Sequence, residues 1–151
     1  IKVLMIGEGA KSKSLKLLAK KLKVPSSCLK FLKPMPLELV PTIYKCANLS
    51  IVAIDGPSAN SSLPSKTFTS LMCGTPVYVL APLESDLAKL VQKYNCGIIT
   101  EINNQSEIEV TEVINSICKK YDYIEKMSLN AYSASKFFTE KNSDKLVEKI
   151  L

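Results

Sequence analysis

Pro64-Ser65-Lys66-Thr67 follows a polar loop and precedes Phe68, Leu71 and Met72 at helical spacing, with Gly74 as a stop. These residue types at a helix start can hold an anion. The first amides of a helix lack intrahelical acceptors, the macrodipole places its positive end there, and the Lys66 ammonium adds a full charge. Pro64 opens the helix where its missing amide hydrogen costs nothing, and Ser65 is placed to cap it. A simple N-capped helix would use the same residues, so the context matters. The Ser- and Asn-containing stretch Asp55 to Ser62 just before it reads as a long irregular loop, a feature that compact domains usually keep for function. A second candidate is Ile6-Gly7-Glu8-Gly9, a GxG after the first apolar run. It would let a backbone approach a phosphate or sugar, or serve as a plain strand-to-helix turn. The third glycine of a dinucleotide fingerprint would fall at Ser12 and no acid follows the second strand, which excludes a nicotinamide dinucleotide.

Composition removes other chemistries. All 20 basic residues are lysine, giving a net charge of +6 with no histidine and no arginine. Without imidazole there is no Ser/His/Asp or Cys/His relay and no histidine metal ligand. Without guanidinium there is no planar fork for phosphate or guanine, so anion binding must rest on lysines and backbone amides. The five cysteines are scattered with no CxxC spacing, which predicts reduced packing residues and neither a metal site nor a disulfide framework. No apolar run reaches the roughly 18 residues of a membrane span and no secretory leader is visible. The chain opens without methionine directly into a strand, as expected of a domain cut from a longer protein.

The elements that must position these residues alternate. Strands are expected at Ile1 to Ile6, Leu29 to Leu32, Ser50 to Ile54, Pro76 to Leu80 and Gly97 to Thr100. Helices are expected at Ser12 to Leu22, Val40 to Cys46, Ser65 to Met72 and Ser85 to Tyr94, and in a C-terminal helical segment from Ser106 to Leu151 whose Ile108, Val113, Ile114 and Ile117 share a side and pack at home. Val77 to Leu80 is apolar without alternation, as in a strand covered on both faces. Strict alternation predicts an α/β fold with a doubly wound parallel sheet, in a single domain over residues 1–151. Ligands of such sheets bind beyond the carboxyl ends of the strands, where Gly7 to Gly9, Lys33, Asp55 to Leu63 and Ala81 to Glu84 would gather. All five glycines fall at element ends and are expected to mark turns or close backbone approaches. Nine lysines against one acid lie in the first 33 residues. They suggest an anionic partner, or simply form the wet face of a helix whose dry face is Leu15, Leu18, Ala19 and Leu22. No aromatic residues or arginines interleave with the lysines of that helix, which speaks against nucleic acid.

Laid in order, IGEGAKSKSLKLLAKKL, LKFLKPMPLELVPTIYKCANLSIVAI, LPSKTFTSLMCGTPVYVL and LAKLVQKYNCGIIT resemble the C-terminal, donor-binding domain of retaining GT-B glycosyltransferases of the GT4 type. The most specific parts are the GxG, VPTIYKCANLSI, and PSK followed after seven residues by GTPV, similar to enzymes that build surface polysaccharides and lipid-linked sugars. The resemblance implies transfer of a hexose from a nucleotide sugar such as a UDP- or GDP-sugar, with retention of configuration, no further cofactor and no metal held by a DxD motif. It implies the diphosphate on Ser65, Lys66 and Thr67, with Lys66 as the catalytic group that stabilises the leaving diphosphate. Gly7 and Gly9 would line the cleft, and the base would lie near Phe31, Leu32 and Lys33.

The chain departs from that pattern. The family carries two glutamates with seven residues between them, the second on the ribose hydroxyls, where this chain has Ser61 and Thr69. Thr69 offers one hydroxyl and cannot bind a vicinal diol in bidentate fashion. The resemblance further implies a missing N-terminal acceptor domain, a polysaccharide or lipid-linked acceptor, and a cytoplasmic location with possible attachment to the inner membrane face. The alternative is a noncatalytic GT-B-like interaction module.

Overall fold

The computed structural model describes residues 1–56, 59–103 and 106–138. The chain divides into two compact units, Ile1–Val40 and Pro41–Leu151.

In the first unit, β1 (Val3–Ile6) runs parallel to β2 (Leu29–Leu32) in the register Val3 to Leu29 through Ile6 to Leu32, with α1 (Ser12–Lys21) as the crossover. A 3-10 turn at Leu37–Leu39 follows. Leu15 and Ala19 of α1 are half-buried, but Leu18 and Leu22, expected on its dry face, are 49% and 64% exposed, and no residue of α1 is buried. At about 100° per residue the two leucines lie on the flank of the stripe that turns away from Ala19. The helix ends with Lys23 in the left-handed region at φ 52°, its amide on the Lys20 carbonyl and the Val24 amide on Ala19. That six-to-one closure favours glycine at the left-handed residue. Lys23→Gly is therefore expected to raise stability by about 1 kcal/mol, read as a higher urea midpoint at unchanged slope.

In the second unit, β3 (Ser50–Ala53), β4 (Val77–Leu80) and β5 (Gly97–Thr100) form a parallel sheet in the order β3-β4-β5, with Ser50 opposite Val77 and Val77 opposite Gly97. The helices are α2 (Val40–Lys45), α3 (Ser65–Met72), α4 (Asp86–Tyr94), α5 (Ser106–Ile117) and α6 (Tyr121–Ser135). The fold is thus α/β, with parallel sheets and crossover helices as the alternation of the sequence predicts. Central β4 is covered as its apolar run requires: Val77, Tyr78 and Val79 are at most 1% exposed. Val77 and Val79 belong to one core cluster with Val52, Leu71, Leu87, Val91, Cys96, Ala131 and Ala134. The one phenol in this strand is satisfied, since the Tyr78 hydroxyl and Thr100 Oγ1 lie 2.9 Å apart. Ser85 begins α4 as its cap, accepting from the Ala88 amide at 3.1 Å, and Asn95 ends it in the left-handed region.

The C-terminal helices do pack at home. Met127, Ala131 and Ala134 of α6 are buried, the Ser128 hydroxyl donates to the Gly74 carbonyl at 2.5 Å, and the Asn130 amide donates to the Asn95 carbonyl at 3.0 Å. Three expectations need correction. Ile108 does not share the buried side of α5. Ile117 is buried and Ile108 is 64% exposed, because nine positions at about 100° per residue place them on opposite faces. The cysteines are not mainly packing residues: Cys28, Cys46 and Cys118 are exposed, Cys73 is half-buried and only Cys96 is in the core. Burial pushes the Cys96 thiol up to about 11, so it stays neutral and unreactive near neutral pH. The stretch 55–62 is not structureless throughout, since Ala59–Ser61 form a 3-10 turn with Ala59 1% exposed. Residues 57, 58 and 139–151 of the expected loop and C-terminal segment lie outside the described residues.

Candidate functional site

Because β3 and β4 are parallel, the connection between them must return along the sheet, and α3 therefore begins near the carboxyl ends of the strands. Its first turn is Ser65, Lys66 and Thr67. Pro64 occupies the cap position with φ −59° and ψ 134°, and no side chain caps the helix. This corrects the expectation that Ser65 caps: Pro64 takes the extended conformation that ends the preceding loop, which makes Ser65 the first helical residue. An uncapped helix start leaves amides available for an outside acceptor.

The three residues of the turn are not equivalent. The Thr67 amide donates to the Pro64 carbonyl at 2.9 Å, so Ser65 and Lys66 carry the amides at the very tip. The Thr67 side chain is fully buried, and Oγ1 has no hydrogen-bond partner among the described residues. Such an orphan hydroxyl costs stability. Thr67→Val keeps the shape and removes the orphan, and is expected to stabilise the protein by about 1 to 2 kcal/mol, read by thermal denaturation. Ser65 and Lys66 are exposed, and Lys66 has no ion pair among the described residues. Thr69 is half-buried one turn on, and its hydroxyl donates to the Ser65 carbonyl at 3.3 Å. Ser61 is exposed at the end of the 3-10 turn that precedes α3.

The other expected site residues lie in the first unit. Gly7 has φ 120°, which side chains rarely adopt, and its amide donates to the Leu32 carbonyl at 3.0 Å, so the GxG turn and the end of β2 meet at one sheet edge. Gly9 opens a turn as expected, its carbonyl accepting from the Ser12 amide at 2.9 Å, but its φ is not positive and no atom lies within 4 Å of an added Cβ, so the turn does not require glycine there. Phe31 and Leu32 are half-buried within β2, and the Lys16 ammonium lies 5.8 Å from the Phe31 ring centroid. Lys33 is exposed immediately past the strand.

Open concavities of about 460 and 320 Å³ occur elsewhere. The larger is lined by Lys119 to Tyr123, the smaller by Lys45, Asn48, Pro76, Tyr121, Glu125 and neighbours. Asn48 and Pro76 precede β3 and β4, so the smaller one lies at the amino edge of the sheet, opposite the start of α3. Neither sets uncapped helix amides beside an exposed lysine as the start of α3 does. Among the described residues no three His, Cys, Asp or Glu side chains are grouped to hold a metal ion, and no helix is long and apolar enough to cross a membrane. Sequence reasoning did not see that Thr67 is sealed, because burial of one hydroxyl in a helical first turn leaves no periodic signal.

The architecture is that of the Rossmann-like half of a GT-B glycosyltransferase. Solved structures with this fold include Anabaena HepE in complex with UDP, at TM-score 0.80 and 17% identity over 99% of this chain and 40% of that one. Sucrose-phosphate synthase from Thermosynechococcus elongatus matches at TM-score 0.77 and 16% identity over 99% of this chain and 38% of that one. WaaG, a glycosyltransferase involved in lipopolysaccharide biosynthesis, matches at TM-score 0.71 and 18% identity over 89% of this chain and 34% of that one. The chain therefore spans two fifths or less of the length of these structures. The sequence matches no protein-family model and no curated protein.

Proposed function

We propose that this chain is the donor-binding half of a retaining, GT4-type glycosyltransferase that takes a nucleoside-diphosphate sugar, of the UDP or GDP kind, and serves a polysaccharide or lipid-linked acceptor. The observation that carries the reading is the uncapped start of α3 at the carboxyl edge of β3-β4-β5, with an exposed lysine in its first turn. One protein of similar fold is in complex with UDP, and a diphosphate is the anion such a helix tip suits. On this reading the Ser65 and Lys66 amides and the Lys66 ammonium hold the diphosphate and stabilise the charge that develops on it as the glycosidic bond breaks. Thr67 contributes by fixing the turn, and Gly7, Gly9, Phe31, Leu32 and Lys33 serve the base and cleft. Ser61 and Thr69 give the ribose at most single hydroxyl contacts, and the Thr69 hydroxyl already donates to Ser65.

The reading carries corollaries: residues 1–151 act as one nucleotide-sugar-binding domain, the acceptor is bound by a second, N-terminal domain, no metal or further cofactor takes part, and the site faces the cytoplasm. Loss of carboxylates at positions 61 and 69 favours a second reading, a noncatalytic module of the same fold that has given up its donor. Calorimetric titration of the chain with UDP, GDP, ADP and CMP at low salt separates the two. Saturable binding of one nucleoside diphosphate supports the donor site and names the base, whereas no heat with any of them rejects it in favour of the module.

A further inference from the structure

Tyr121, at the start of α6, lines two hollows: the one of about 460 Å³ beside Lys119, Lys120, Asp122 and Tyr123, and the one of about 320 Å³ at the amino edge of β3 and β4. Both volumes fall in the range of about 300 to 1,000 Å³ that small-molecule sites occupy. Tyr121 is 76% and Tyr123 49% exposed, so much of both side chains meets water. In the smaller hollow Tyr121 is joined by Lys45 at the end of α2, Asn48 in the loop before β3, and Glu125, one turn along α6 on the same helical face. Lys45, Asn48 and Glu125 are all exposed, and among the described residues neither their side chains nor the Ser128-facing turn of Tyr121 is tied up: no hydrogen bond or ion pair engages Lys45, Asn48, Tyr121 or Glu125 through its side chain. Scattered exposed apolar side chains are ordinary. Here two tyrosines adjoin hollows furnished with an amide, two carboxylates and three lysines.

From this we infer that the two hollows form a binding surface for a neutral oligosaccharide, with Tyr121 as the platform for a sugar ring and Asn48 and Glu125 as the groups that read its hydroxyls. The occupant follows from the mixture of side chains. One face of a pyranose is a patch of C–H bonds with slight positive charge, which suits the negative face of an aromatic ring, while the rim of the sugar carries hydroxyls. Adjacent hydroxyls are met by a carboxylate, which accepts twice, or by an amide, which accepts and donates, and Lys45 adds a further donor. The lysines nearly balance Asp122 and Glu125, so a polyanion would gain little attraction and would meet two carboxylates. An apolar partner would bury Asn48, Lys45 and Glu125 without hydrogen bonds. Two hollows adjoining at Tyr121 accommodate more than one sugar ring, hence a chain. The smaller hollow lies at the amino edge of the sheet and the start of α3 at the carboxyl edge, so the inference goes beyond the donor reading and does not rest on it.

Saturation-transfer NMR on the full chain tests it, with maltohexaose, cellohexaose, mannohexaose and xylohexaose as probes at low and moderate salt. Expected is transfer to at least one of them, strongest on the C–H protons of one ring face, with an affinity that does not fall as salt rises, because the ligand carries no charge to screen. Tyr121→Ala is expected to lose about tenfold in affinity, while Tyr121→Phe, which keeps the ring, stays within about threefold of the parent. Asn48→Ala with Glu125→Ala is expected to lose about tenfold through the hydroxyl contacts. These side chains are exposed, so each variant should keep the parent's thermal midpoint. UDP titration of each variant should match the parent, whatever the parent's own response, which keeps this surface apart from the donor site. Absence of transfer to all four hexasaccharides, binding that falls steeply with salt, or unchanged affinity in Tyr121→Ala overturns the inference. So does a uridine homopolymer RNA that binds the parent and not Tyr121→Ala while the hexasaccharides are ignored, which would give the surface to nucleic acid.

Discussion

Gly97→Ala is expected to destabilise the protein by about 3 kcal/mol or more, seen as a fall of about 10 °C in the thermal midpoint of a chain this size. Gly97 opens β5 directly opposite Val77 of β4. A Cβ there would lie 2.0 Å from the Val77 carbonyl oxygen and 2.9 Å from both its carbonyl carbon and Cγ2. The obstacle is backbone of the central strand, itself at most 1% exposed and hydrogen-bonded on both sides, so it cannot swing away as a flexible side chain could. Either β5 moves outward, at the cost of ladder bonds such as the one from the Val77 amide to the Cys96 carbonyl at 3.2 Å, or β4 shifts within the core. Gly9→Ala is the control. No atom lies within 4 Å of the added Cβ and the backbone is not in the left-handed region, so a change within about 0.5 kcal/mol is expected. Equal effects at the two glycines would show that β5 yields freely, and that the β4-β5 pairing is looser than its packing suggests.

That contrast also shows what a sequence can and cannot carry. The alternation of elements was legible because β4 is apolar at every position and α4 carries its own start and stop, Ser85 and Asn95, in local side-chain chemistry. Five glycines at element ends look alike on paper. Which one sits against a carbonyl depends on the register of β5 beside β4, a long-range property that no local window contains. The same limit applies to Leu18 and Leu22 on α1. Their spacing marks an apolar stripe, but how much of it is covered depends on what packs there, and both are exposed. At the candidate site, the residue types Pro64, Ser65 and Lys66 and their place at a helix start were readable, because helix initiation is written in side chains. The unequal roles within the turn were not. The Pro64 cap, the Thr67 amide turned back on Pro64 and the sealed Thr67 hydroxyl depend on how the preceding loop enters the helix.

Under the proposed function, Lys66→Ala is expected to weaken nucleoside diphosphate binding by about 10- to 100-fold, equivalent to about 1.5 to 3 kcal/mol for a charge-assisted hydrogen bond to phosphate. Two features of the site set that range. Lys66 is exposed, so solvent screens its charge and pulls the effect down from the value of a buried contact. It also has no competing ion pair among the described residues and the chain contains no arginine, so no neighbouring guanidinium can take over the diphosphate. The Ser65 and Lys66 amides persist in the variant, because alanine keeps its N–H, and residual binding at low salt is therefore expected. Stability should change by no more than about 0.5 kcal/mol, since an exposed side chain in a helical first turn supports no packing. Lys66→Arg should recover most of the affinity, as a second cation reaching the same anion. The calorimetric comparison is made at two salt concentrations, where the parent should lose affinity more steeply than Lys66→Ala as salt rises, because one charged contact to the ligand is gone. Equal affinities and equal salt slopes would take the diphosphate off this helix start and, with it, the assignment of Lys66 as the group that stabilises the departing charge.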